Sequence, residues 1–402
     1  MCSTCWQGAS LMNMTTPLRI ALLLESDGPG GAERMLVHLA EAMTRRGHHV
    51  IPVGPADGCG WLAGELRQAG IESEVFRLRR AVDPRCALEL ARLFAHKRVD
   101  VAHSHEFSMA VYGAAAAALA RVPHIITMHG GKYFEAKGRR RIGLRWAFRA
   151  SHRVIAVSEA TRSGLAARLG FDGSRLEVIH NGVPEQTGDR QRIRAELGLG
   201  GSDLLILAAG NLYEVKGHDV LLHALSRLPT DPGWRLAVAG RGPEEARLRE
   251  LAQRLSLSER VHLLGYRGDI QDLMAAADIV AMPSRSEGLP LAILEAMFAR
   301  RPIVASAVGG IPDALGDDAG LLVPPGDPGA LAQALTSLLL DPDLGSALGN
   351  AAAVRAAERF SVDAMADAYE RCYREAAGTG PRRKRDRPVT AGRSESGHLG
   401  GA

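Results

Sequence analysis

The succession of short apolar runs and longer amphipathic ones constrains this chain more than any single motif. Arg19 to Leu24 reads as a strand, and an amphipathic helix follows from about Gly31 to Arg46. Further strands are expected at His49 to Val53, Asp100 to His103, His124 to Met128, Arg153 to Val157 and Leu176 to Ile179, with helical stretches between them. Strands that alternate with helices imply parallel sheets covered by helices on both faces. A polar stretch, Glu185 to Asp203, interrupts the rhythm. It restarts with Leu204 to Ala208, Arg235 to Ala239, Val261 to Leu264, Ile279 to Met282, Pro302 to Ala305 and Gly320 to Val323. At 402 residues the chain exceeds one ordinary core. Two α/β doubly wound domains are expected, at residues 17–184 and 204–359, with a linker at 185–203. Phe360 to Ala376 reads as a helix with Ser361 as its N-cap, so that 360–377 forms a closing element. Residues 1–16 and 378–402 are expected to be disordered extensions.

Composition narrows the function. Hydrophobic residues make up 46% and charged residues 23%, the balance of a globular body with a sizeable core. The longest apolar runs, such as Val111 to Ala120, are shorter than the ~18 residues of a membrane span. No N-terminal stretch has the order of a signal peptide, so a cytoplasmic protein is expected. Cys2, Cys5, Cys59, Cys86 and Cys372 form an odd, scattered set that suits a reducing compartment better than a disulfide framework. Cys2 and Cys5 make one C-x-x-C without a second ligand pair at zinc spacing. Met12 and Met14, just ahead of the first strand, offer alternative translation starts. The net charge of +4 lies in Gly378 to Ala402, where six basic residues face two acids. The body is neutral, and no nucleic-acid partner is expected.

In open parallel sheets ligands bind beyond the carboxyl ends of the strands, so chemistry is sought there. The first strand ends in Ser26-Asp27-Gly28-Pro29-Gly30-Gly31-Ala32-Glu33, which suits either a tight turn or close approach of a helix start to an anion. It is not the dinucleotide fingerprint, because Glu33 occupies the third glycine position. His129, in Thr127-Met128-His129-Gly130-Gly131, could donate to a sugar hydroxyl or a developing charge. His103 and His105 suit structural roles, or metal ligation for which no nearby third ligand is evident. In the second half, Gly210-Asn211-Leu212-Tyr213-Glu214-Val215-Lys216-Gly217 places a lysine where it could pair with a diphosphate. The P-loop order is absent. Gly240-Arg241-Gly242-Pro243 forms a tight turn near a helix start.

The most informative stretch runs from Pro283 through Glu287, Gly288, Leu289, Pro290 and Leu291 to Glu295 and Met297. A helix starting near Pro290 offers amides to a phosphate. Glu295 is a carboxylate in an apolar helical run, costly to bury without hydrogen-bond partners, which ribose hydroxyls would supply. Two carboxylates also suit a glycosidase, which has no need of Lys216 or a phosphate-binding helix start. Separately, Lys132 to Arg153 holds eight basic residues and one acid, with Ile142, Leu144, Trp146 and Phe148 interspersed. That segment suits a solvated helix face or peripheral contact of residues 132–153 with an anionic membrane.

Together these segments resemble family 4 of the glycosyltransferases, from about Leu18 to Ala376. The resemblance rests on Glu287 to Glu295 as the family's Glu-x7-Glu, with Lys216-Gly217, Gly240 to Pro243 and Gly309-Gly310. Its first-half marks are Gly30-Gly31-Ala-Glu33, Thr127 to Gly130, Val157-Ser-Glu159 and Ile179 to Pro184. It implies the GT-B fold, two Rossmann-like domains with a final helix crossing back to the first. It also implies retaining transfer of a hexosyl group from a UDP- or GDP-linked sugar to a saccharide or lipid acceptor, with no metal or other cofactor. By the same resemblance Lys216 holds the diphosphate, Glu295 the ribose, and Glu287 and His129 the donor sugar. Gly30 and Gly31 line the phosphate and acceptor side. Asn211 stands where many relatives carry an arginine, which leaves more of the diphosphate charge to Lys216 and to amides near Gly288 to Leu291. A phosphorylase, an epimerase and a non-catalytic nucleotide-sugar binder are the alternatives on this fold.

Overall fold

A computed structural model describes residues 16–80, 82–130 and 138–379. The first domain is built on a sheet of seven strands: β1 (Arg19–Leu23), β2 (His49–Pro55), β3 (Glu74–Phe76), β4 (Val101–His105), β5 (His124–Met128), β6 (Arg153–Ala156) and β7 (Leu176–Val178). All pairings are parallel, in the order β3-β2-β1-β4-β5-β6-β7. The second sheet contains β8 (Leu204–Ala209), β9 (Trp234–Ala239), β10 (Val261–Gly265), β11 (Ile279–Met282), β12 (Ile303–Ser306) and β13 (Leu321–Val323). It is also parallel, in the order β10-β9-β8-β11-β12-β13. Helices cover both faces, so central strands such as Ile20 to Leu23 and Leu205 to Leu207 are wholly buried. Each buried Ile or Leu contributes about 1.5–3 kcal/mol.

The chain order reverses between β1 and β4 in one sheet and between β8 and β11 in the other. Ligand crevices of such sheets open at these switch points, beyond the carboxyl ends of the strands. Here both switch points face a single cleft.

Two features differ from the sequence expectation. β3 was not expected; it is a three-residue edge strand whose Val75 is exposed, too short to show a period. The polar stretch 185–203 contains a helix, Arg190–Glu196, rather than only linker. Its Ile193 is buried in the second domain's core. Arg190 pairs with Asp278 at 2.6 Å and Arg194 with the same carboxylate at 3.1 Å, which explains the polar composition.

The last helix, Val362–Thr379, begins where Ser361 Oγ accepts the Ala364 N–H at 3.1 Å. It buries Met365, Tyr369, Cys372 and Tyr373 against the core around β1 and the helix Gly31–Arg45. The chain therefore crosses between domains twice, and the crossings touch. Val183 N–H donates to the Phe360 carbonyl at 3.0 Å, and Val362 N–H to the Val183 carbonyl at 3.2 Å. Among the described residues no helix is long and apolar enough to cross a membrane. The expected disorder of the two chain ends falls outside the described residues, apart from residue 16 and residues 378–379.

Candidate functional site

The interdomain cleft encloses about 530 Å³. Two helix starts face it from opposite sides. The helix Gly31–Arg45 follows β1 and has Gly30 as its N-cap without a side-chain cap. The helix Leu291–Phe298 follows β11 with Pro290 as N-cap, again with no capping side chain and no acid in its first turn. Leu291 and Ala292 line the cleft, so the partial positive charge of that helix start is available to an anion.

Lys216 sits in the connection after β8. Gly217, at φ +67°, follows it, and a Cβ there would collide with the Pro283 carbonyl oxygen. This close approach brings Lys216 Nζ to Glu287 Oε1 at 2.7 Å, and Ser284 Oγ donates to the same oxygen at 2.6 Å. Glu287 is nearly buried, with 8% of its side chain exposed, and the ammonium neutralises it. An incoming diphosphate would therefore meet a lysine already held in place. Glu295 projects from the second turn of its helix into the cleft, with no side-chain hydrogen bond among the described residues. Burial raises its pKa, and the charge of Arg34 across the cleft opposes that shift.

The opposite wall is held by side chains. His129, after β5, lines the cleft, and its Nε2 lies 3.0 Å from His105 Nδ1. The two rings stack with centroids 5.3 Å apart. Burial drives the His129 pKa down to about 4, so the imidazole is neutral near pH 7. Its backbone N–H donates to Glu106 Oε1 at 3.1 Å. Burial raises the Glu106 carboxyl to about 8.

The signature loop closes on this wall. A Cβ at Gly288 would strike the His129 carbonyl oxygen, so the two backbones meet there as only glycine allows. Asn181 Nδ2 donates to the Leu289 carbonyl at 2.8 Å, and Ser158 Oγ to the Gly288 carbonyl at 3.3 Å. Gly30, Gly31, Asn211, Gly240 and Pro290 also line the cleft. Gly242 does not; it borders an adjoining recess with Asp27, Tyr213 and Arg241.

Comparison with known proteins agrees with this geometry. Residues 29–187 match the model of Glycosyltransferase Family 4, and residues 189–355 that of Glycosyl transferases group 1. A D-inositol 3-phosphate glycosyltransferase of Xylanimonas cellulosilytica is 30% identical over 91% of this chain and 98% of its own. The chain belongs to glycosyltransferase family 4. A D-inositol 3-phosphate glycosyltransferase of Streptomyces bingchenggensis is 34% identical over 69% of this chain and 67% of its own length. The structure of Anabaena HepE in complex with UDP-glucose is 27% identical, with TM-score 0.79 over 89% of this chain and all of that one. The protein is a GT-B glycosyltransferase.

Within this glycosyltransferase, sequence reasoning passed over several cleft residues. Glu106 carried no motif, although an acid directly after a strand-end histidine was a usable signal. It is strained, at φ +64°, and its Oε2 is buried without a partner. Arg34 and Tyr266 were also missed; they lie in a helix and after a strand with no recognisable spacing. Metal ligation by His103 and His105 finds no support. Among the described residues no three His, Cys, Asp or Glu side chains are grouped to hold a metal. His103 instead bonds Tyr373 Oη at 2.7 Å and Thr127 Oγ1 at 2.8 Å, tying the final helix to the sheet.

Proposed function

We propose that this glycosyltransferase transfers a hexosyl group from a UDP-linked sugar, with retention of configuration, to a hydroxyl of a saccharide or lipid acceptor. One observation carries the reading. Lys216, Glu287, Glu295 and an uncapped helix start converge from the second domain on a cleft that His129 borders from the first. In this reading the diphosphate lies between Lys216 and the amides of Leu291 and Ala292, and Glu295 takes the ribose hydroxyls. Glu287 and His129 hold the sugar. As the glycosidic bond lengthens, charge grows on the leaving phosphate oxygen, where the ammonium and amides stabilise it. The ammonium and amides meet this charge themselves, so the reaction is proposed to need no metal ion and to survive chelation. UDP is favoured over GDP because HepE, similar along its whole length, was solved with UDP-glucose.

The test is release of UDP and free glucose from UDP-glucose. Wild type should turn it over slowly, and proton NMR of a transfer product should show the axial anomer retained. Lys216→Ala and Glu295→Ala should each lower kcat/KM at least about tenfold, roughly 1.4 kcal/mol, while melting cooperatively. Smaller losses reject the assigned roles.

We also propose peripheral contact with an anionic membrane. In the helix Gly138–Ala150, Ile142 is 70% and Trp146 44% exposed, among exposed Arg139, Arg140, Arg141 and Arg149. Residues 131–137 of the expected segment lie outside the described ones. Sedimentation with phosphatidylglycerol vesicles, abolished by Trp146→Glu and absent with phosphatidylcholine, is the expected result.

A further inference from the structure

The geometry points to His105 as a positioning residue that fixes the ring tautomer of His129, so that His129 presents an Nδ1–H donor to the cleft. The inference rests on the reading that His129 faces the donor sugar.

One hydrogen bond joins the rings, between His105 Nδ1 and His129 Nε2 at 3.0 Å, and either nitrogen could carry its proton. The far side of His105 decides. Its Nε2 is buried and has no partner among the described residues. Were His129 the donor, neutral His105 would have to carry its proton on Nε2, leaving an N–H orphaned in the core. With the opposite polarity, Nε2 is a bare acceptor. Orphaned buried N–H groups are rarer than under-satisfied acceptors. His105 Nδ1–H therefore donates, His129 Nε2 accepts, and the one proton of neutral His129 sits on Nδ1. Both rings are held neutral by burial.

Among the described residues the other ring nitrogen of His129 has no hydrogen-bond partner, and His129 lines the cleft, where a sugar hydroxyl could accept from it. Glu106 completes the clamp by accepting the His129 backbone N–H at 3.1 Å. Consecutive residues at the junction of β4 and the helix that follows it thus hold the ring and the peptide of one residue just after β5. A tautomer of the opposite kind would offer a sugar hydroxyl a lone pair instead of a proton.

Long-range nitrogen-15 correlation spectra of histidine rings in the full chain test this without substrate, with His129 assigned by its loss in His129→Asn. Wild type should carry the proton on Nδ1. His105→Asn, whose Nδ2–H stands near the original Nδ1–H, should keep it there. His105→Leu should give both tautomers. With UDP-glucose, His105→Leu should lower kcat about tenfold with KM nearly unchanged, and His105→Asn should restore most of it. A proton on Nε2 in wild type, or an unaltered Nδ1–H in His105→Leu, overturns the inference. If His105→Leu does not fold, the wild-type spectrum decides alone. An Nδ1–H ring in a protein that leaves UDP-glucose intact supports the role of His105 and rejects the donor.

Discussion

In the first domain β4 and β5 bury His103, Ser104, His105, His124 and Thr127, whereas β8 and β11 of the second hold only apolar side chains. Both strand pairs lead into the same cleft. The second domain meets it with glycines at 210, 240 and 288, a helix start, and the charged side chains of Lys216, Glu287 and Glu295. The first meets it with a side chain whose orientation depends on a buried hydrogen-bonded network. An anionic diphosphate is well served by amides and one cation, which need little side-chain specificity. A sugar, distinguished by its hydroxyls, needs donors and acceptors fixed in polarity, and those must be supported from behind.

The largest expected effect comes where the two designs touch. Gly288→Val would drive a side chain into the His129 carbonyl and hold the domains apart. Each domain keeps its own core, so melting should remain cooperative while turnover falls by roughly 100-fold or more, the scale of an ångström misplacement. Small-angle scattering should show a larger radius than wild type in the presence of UDP. Near-normal turnover would mean that the backbone contact is incidental.

The same contrast explains what could be read beforehand. The second domain's contribution is written as residue types at short spacing: Lys216-Gly217, Gly240, and Glu287 to Glu295. Backbone geometry demands glycine locally, so the demand is visible locally. The buried network of the first domain joins partners 24 and 270 residues apart, His105 with His129 and His103 with Tyr373. No local pattern encodes such a pairing, so His103 and His105 read as structural without their partners being evident, with metal ligation the alternative, and Glu106 was overlooked. Gly242 carried the right motif but lies one recess away, packed so closely on the Leu212 backbone that a Cβ would strike its carbonyl oxygen. The alternation that gave both sheets was legible because burial on both faces demands unbroken apolar runs. β3, an edge strand, is under no such demand.

Acid should separate the halves by a smaller amount. Burial lowers the pKa of His103 and His105, that of His124 to about 3 and that of His129 to about 4. Below pH 6.5 the unfolded chain binds protons that the folded domain refuses, so stability falls as pH drops. The slope is about 1.4 kcal/mol per pH unit for each such group. Glu106 acts oppositely. Its folded pKa is raised to about 8, so it adds stability as pH falls from 8 toward 4.5, but it is outnumbered by the histidines. In the second domain burial also lowers His218, to about 4, and His262. Hydrogen exchange at pH 4.5 should therefore show β4 and β5 losing protection before β8 and β11. Equal loss would mean that the network is not the weaker half.

The smallest effect tests whether side chains also join the domains at the rim. Trp61 Nε1–H donates to Tyr266 Oη at 3.1 Å across the cleft mouth, with Arg34 over the indole and Arg241 over the phenol. This is a solvent-exposed bond. Trp61→Phe keeps an aromatic face for Arg34 and deletes only the donor. Water can replace it, so the loss should lie at or below the ~0.5 kcal/mol end of hydrogen-bond contributions. KM for UDP-glucose should rise less than about threefold, a change of about 0.65 kcal/mol, with kcat unchanged. A tenfold rise would place domain closure under the control of a side-chain latch, and the backbone contact between Gly288 and His129 would no longer suffice to describe how the cleft shuts.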